Sequence, residues 1–169
     1  MADKQCNLFT AWARKHDQTP CMQEHTMHKV SGACHCGNIH LQLELSQPLA
    51  DYSPRACDCD FCRKHGASYL SDPHGHLQIE VRDTACMGKY RHGSQLADFL
   101  LCTRCGVLIG VLYQDGSRLY GTVNCAALQS EEALATPVSV SPKRLESSEK
   151  TARWTTLWFP DVRLSTRQA

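Results

Sequence analysis

Residues 38–45 read NIHLQLEL, and this stretch sets the fold class. Ile39, Leu41, Leu43 and Leu45 alternate with His40, Gln42 and Glu44, the period of two that marks a strand with one buried face. Ser46, Gln47 and Pro48 end it with turn chemistry. HLQIEV (76–81) repeats the pattern with Leu77, Ile79 and Val81 on one side, and KYRHG and ADFLLC give two more strands around residues 89–102. VLIGVLY (107–113) turns at QDGS into RLYGTV (118–123), a hairpin with Asp115-Gly116 at its tip. One helix is expected, NCAALQSEEAL (124–134), with Asn124 as its N-cap. SPKRLESSEKTA (141–152) reads as a solvated linker or loop, and RWTTLWFPDV (153–162) returns Trp154, Trp158 and Phe159 to the domain. Short strands at regular spacing with little helix make the chain mostly β.

A chain of 169 residues suits one domain with a real core. The expected division is an N-terminal extension at 1–28, a folded domain at 29–162 and a tail at 163–169. Cys21, His25 and His28, in CMQEHTMH, read as part of a mobile extension rather than as metal ligands. Eighteen Lys and Arg nearly cancel seventeen Asp and Glu, and no basic run marks a nucleic-acid footprint, so no nucleic-acid partner is expected. No apolar run approaches the ~20 residues that cross a bilayer, so no membrane partner is expected. The N-terminus lacks a signal-peptide pattern, and a cytoplasmic location is expected.

Eleven cysteines are many for this length. An odd number, the missing signal peptide and seven cysteines in tight C-x-C or C-x-x-C groups favour metal thiolates over disulfides. The groups are Cys34 and Cys36 in CHC, Cys57, Cys59 and Cys62 in CDCDFC, and Cys102 and Cys105 in CTRCG. Residues i and i+2 of an extended segment face the same way, so a C-x-C offers two thiolates to one ion. Zinc takes four tetrahedral ligands, and seven clustered cysteines divide into four plus three. The four would close a structural site; the three would leave a vacant position, the mark of a catalytic zinc. Spacing alone leaves the pairing open. Cys59 and Cys62 could equally join Cys102 and Cys105 in a zinc ribbon, leaving Cys34, Cys36 and Cys57.

SGACHCGNIHLQLEL, CDCDFCRKHGA, LLCTRCG and TVNCAAL, in that order, resemble the glutathione-dependent formaldehyde-activating family, which includes the centromere protein V relatives. The resemblance covers roughly residues 29–160. It implies a small β-tent of antiparallel sheets with two zinc ions. It also implies that Cys34, Cys36, Cys102 and Cys105 share the structural ion, and that Cys57, Cys59 and Cys62 bind the second. Asp60 stands where family members commonly carry serine, and with Asp58 it puts two carboxylates beside the middle cluster; a solvated position is the expectation for both.

A zinc held by three thiolates is a poor Lewis acid, but it can accept a fourth sulfur and hold it deprotonated below the free thiol pKa of ~8.5. The implied function is carbon–sulfur lyase or synthase chemistry on a thiol–aldehyde adduct, such as S-hydroxymethylglutathione from glutathione and formaldehyde. Arg63 and Lys64 would then meet the glutathione carboxylates or stand as a solvated surface pair, and His65 would move the proton, complete the metal site or play no part. The alternatives are a non-catalytic, zinc-stabilised protein-binding module and a metal-free redox-sensing thiol protein. His35, between two ligands, should point away from their ion. Cys86 and Cys125 are expected as small buried hydrophobes, and Cys6 and Cys21 as exposed and incidental.

Overall fold

The structure, a computed structural model, describes residues 26–166. Cys6, Cys21 and His25, and most of the expected extension, lie outside the described residues. The alternation in NIHLQLEL is realised: Ile39, Leu41, Leu43 and Leu45 are buried while Gln42 is exposed. This strand, β2 (Ile39–Leu45), is the centre of a five-stranded sheet. On one side it pairs antiparallel with β1 (His28–Ala33), and on the other with β5 (His76–Val81). The seven-stranded second sheet holds β3 (Arg55–Cys57), β4 (Ser68–Leu70), β6 (Met87–Tyr90), β7 (Asp98–Cys102), β8 (Leu108–Asp115), β9 (Arg118–Asn124) and β11 (Val138–Val140). Its order is β11-β3-β4-β9-β8-β7-β6, and the β8–β9 hairpin turns at Asp115-Gly116 as expected. The mostly β expectation holds.

The inner faces of the two sheets share one core, in which Leu41, Leu43 and Ile79 of the first meet Leu100, Ile109 and Leu112 of the second. Phe159, fully buried, bonds through its backbone to Gly121 of β9 in both directions, at 2.9 and 3.0 Å. The tryptophan-rich end therefore docks on the domain, as the sequence suggested.

Three stretches differ from their expected form. Asn124 does cap a turn, its Oδ1 accepting from Ala126 N–H at 3.4 Å, but only the 3-10 turn Cys125–Ala127 follows. The chain then extends as β10 (Leu128–Gln129) to pair with Ser31 and Gly32 of β1. Backbone pairing thus overrides helix propensity over 124–134. Gly32 permits the approach, since a Cβ there would stand 2.5 Å from the Ala127 carbonyl oxygen. The supposed linker instead contains a second helix, α2 (Ser147–Leu157), whose first turn is closed by Glu146 N–H donating to Glu149 Oε2 at 2.8 Å. The supposed tail supplies β12 (Arg163–Thr166), which runs parallel to β5 at the sheet edge.

Asp72 ties the strand ends together. Its carboxylate, 2% exposed, accepts from Ser46 N–H at 2.7 Å, Tyr52 O–H at 2.6 Å and His74 N–H at 2.9 Å. Burial opposes its charge, but these donors outweigh burial and hold its pKa below the usual value. A depressed folded-state pKa contributes stability that is present above the unfolded value of ~3.9 and lost as pH falls through the folded value. Asp72→Asn should therefore lower urea stability by about 1–3 kcal/mol at pH 7. The gap to the parent protein should close as the pH is lowered below about 4, and parallel urea titrations at pH 7 and pH 3.5 read it.

Candidate metal centres and active site

The CHC cluster sits in the β1–β2 turn of the first sheet, and the CTRCG cluster begins at the last residue of β7 in the second. Each turn closes on a glycine with positive φ: Gly37 at +70° donates to the Cys34 carbonyl, and Gly106 at +77° donates to the Cys102 carbonyl. These folds bring the Sγ atoms of Cys34, Cys36, Cys102 and Cys105 within 4.8 Å of one another. Tetrahedral zinc–sulfur bonds of ~2.3 Å would set sulfurs ~3.8 Å apart. Cys34–Cys36 at 3.6 Å and Cys36–Cys102 at 3.5 Å match that edge. Burial pushes the Cys102 thiol up to about 12. Burial also works against Cys105, but the backbone N–H groups of Val107 and Cys36 and the neighbouring thiols outweigh it and bring Cys105 down to about 6. His35 is exposed, and it is not part of the ligand group.

The middle cluster is built by a strand running into a helix. Cys57 ends β3, Cys59 caps α1 (Asp60–Lys64) by accepting Cys62 N–H on its sulfur at 3.4 Å, and Cys62 lies inside that helix. The three sulfurs also lie within 4.8 Å of one another. The Cys62 thiol donates to Cys57 and, against burial, brings it down to about 6, while the same pairing and burial push Cys62 up. Tyr69, buried on β4, places its hydroxyl 3.2 Å from Cys62 Sγ, and burial raises its pKa, keeping the phenol protonated. Two sulfur clusters thus have the geometry and donor chemistry to hold metal ions, as four and three.

The clusters differ in their surroundings. Cys57, Cys59 and Cys62 line a cavity of about 450 Å³, and none of Cys34, Cys36, Cys102 and Cys105 does. Ala97, Val111 and Trp158, all buried, pack in the same apolar cluster as Cys59 and Cys62 and form part of the cavity wall. The lining also carries the cations Arg55, Lys143, Lys150 and Arg153.

His65, Arg63 and Lys64 are placed elsewhere. His65 caps the C-terminal end of α1 with its ring 4.6 Å from that of Phe61; it does not join the sulfur group and does not line the cavity. Arg63 and Lys64 are exposed and also do not line it. His92 is the one histidine in the cavity wall among the described residues, packed against Phe61 and Phe99 with Nε2 buried and unpartnered. Arg55 was detectable in sequence, since it precedes Cys57 by two along a strand and so shares its face. Lys150, Arg153, Trp154 and Leu157 carry helical spacing, a weaker signal inside a polar run. Asp58 is not merely solvated: it pairs with Lys143 at 3.1 Å and accepts from Ser141 Oγ at 2.9 Å. Asp60 is exposed, at the cavity edge. Cys86 and Cys125 are half-buried rather than buried, and the Cys86 thiol donates to Asp83 at 3.3 Å.

Residues 29–143 match the family model described as glutathione-dependent formaldehyde-activating enzyme. The chain belongs to that family. Its cysteine order is the one on which the sequence resemblance rested. Among solved structures, the crystal structure of a Rhodobacter sphaeroides protein is similar, at 28% identity over 62% of this chain and 97% of that one, with a TM-score of 0.45. The search of curated proteins returned no match. No helix among the described residues is long and apolar enough to cross a membrane.

The two clusters should separate under mutation. The parent protein is expected to hold two zinc equivalents, one per cluster. Cys57→Ser should keep one equivalent and melt within a few degrees of the parent. Cys105→Ser should lose the ion between the sheets, and its melting temperature should fall by more than about 10 °C. Metal analysis combined with calorimetry measures both outcomes.

Proposed function

We propose that this family member forms and cleaves the carbon–sulfur bond of a thiol–aldehyde adduct, with glutathione and formaldehyde as the substrates its family name indicates. The observation that carries the reading is the asymmetry between the clusters: the trio faces a cavity and the quartet does not. Zinc held by Cys57, Cys59 and Cys62 would supply a position for one further sulfur and favour that sulfur as thiolate.

The chain's own groups support the remaining chemistry. Ala97, Val111 and Trp158 exclude water from the sulfur side of the cavity, which strengthens electrostatic interactions there. The Tyr69 hydroxyl donates to the Cys62 sulfur and draws charge from it, so that less is shared with the incoming thiol. In the forward direction the thiolate attacks the aldehyde carbon; a carbon–sulfur bond forms, the carbonyl π bond breaks, and the oxygen takes a proton. The reverse returns thiol and aldehyde. In this reading His92, rather than His65, handles that proton, because it lies in the cavity wall and His65 does not.

Cobalt-substituted protein tests the reading. Added glutathione should change the visible and sulfur-to-metal charge-transfer bands, and zinc protein should accelerate adduct formation and breakdown. An unchanged spectrum with no rate effect would leave a zinc-stabilised binding module. Tyr69→Phe should keep both ions and lower the adduct rate by about tenfold, seen by stopped-flow.

A further inference from the structure

We propose that Arg55, Lys150 and Arg153 form a carboxylate clamp in the cavity wall that selects an anionic thiol over a neutral one. The proposal rests on the reading of this cavity as the thiol site and names what the site recognises in that thiol.

The clamp joins two elements. Arg55 reaches the cavity from β3, two residues before Cys57 on the same strand. Lys150 and Arg153 reach it from α2, three residues apart and therefore neighbours on one helix face. Arg55 is half-buried and held in place: its Nη2 donates to Ser71 Oγ, and Ser71 Oγ donates to the Leu157 carbonyl at 2.7 Å. The same serine therefore links the strand cation to the end of the helix that carries the other two.

What these cations lack is a counter-charge. Lys143 on the same wall is satisfied by Asp58, and elsewhere Arg91 and Lys89 meet Asp98, and Arg104 meets Asp83. No ion pair engages Arg55, Lys150 or Arg153 among the described residues. Asp60 is the one carboxylate on the lining among the described residues, and it accepts Phe61 N–H at 2.9 Å. Burial, and then the positive charge of Arg153, hold the Arg55 guanidinium below its ordinary value. Arg55 is half-buried and Arg153 exposed, so two guanidinium groups stand near each other at the cavity mouth with no acid paired to either, an arrangement that an incoming anion would relieve. Guanidinium forks match the planar, two-oxygen geometry of a carboxylate. Both cations of α2 lie beyond the segment that matches the family model, which ends at residue 143. The selection therefore depends on a part of this chain outside the matched segment.

The test uses S-methylglutathione, whose sulfur is blocked, so that carboxylate recognition is read apart from thiol chemistry. Zinc-loaded protein is titrated with this compound and with its diethyl ester by calorimetry and tryptophan fluorescence, since Trp154 and Trp158 line the cavity. The free acid should bind at least about tenfold more tightly than the ester, and the difference should shrink in high salt. Arg153→Glu should abolish the preference, Arg153→Lys should restore part of it, and Lys150→Gln should weaken it with little change in melting temperature. Equal binding of acid and ester, or a preference that survives in both Arg153→Glu and Lys150→Gln, would overturn the clamp. The two readings separate cleanly. A carboxylate preference with no spectral response of the cobalt protein to glutathione would retain the clamp and sink the thiol reaction. A spectral response without carboxylate preference would do the reverse.

Discussion

Four sulfurs drawn from turns in two different sheets meet within 4.8 Å, and the arrangement of everything else depends on that meeting. The sheets share a core of branched aliphatic side chains, which is non-directional and tolerates sliding. Sulfur–metal geometry does not, because bond lengths and tetrahedral angles admit little freedom. A metal cross-link at that end of the core would therefore set how the sheets sit against each other. The backbone pair between Phe159 and Gly121 gives a second fixed point on the larger sheet.

The second sulfur group occupies a different mechanical position. Its three sulfurs come from one strand-to-helix passage of six residues, so an ion held there could gain or lose a further ligand without straining the sheets. Around it the wall divides by chemistry: apolar groups pack with the sulfurs, and cations extend from β3, from Lys143 and from α2. A site of this kind would suit a reactant that carries both a soft reacting atom and anionic groups. It also gives separate residues to separate tasks, so affinity and reactivity can change independently.

Much of this was legible in the chain. Alternation identified β2 and β5, Asp115-Gly116 located the hairpin, and the ordered cysteine groups pointed to the family. These signals are local, and so a linear reading captures them. What escaped was set by contacts distant in sequence. Residues 124–134 carry a helical cap, yet the edge of β1 required a strand partner and took it. Residues 147–157 carry no apolar stripe before Trp154, so the helix was hidden among polar residues, and with it the Lys150, Arg153 and Trp154 side of the cavity wall. Histidine, arginine and lysine next to the cysteines in sequence drew the reading toward α1, whereas a helix turns successive residues away from one another and left Arg63 and Lys64 facing outward.

Cys59 holds the start of α1 by accepting an amide proton on its sulfur, a task that an oxygen at the same position performs at least as well. A single base change converts a cysteine codon to a serine codon. Such a descendant would inherit the shape of the protein intact while its reactivity fell silent, and a lineage of this architecture could drift from enzyme to scaffold with no visible scar in its outline.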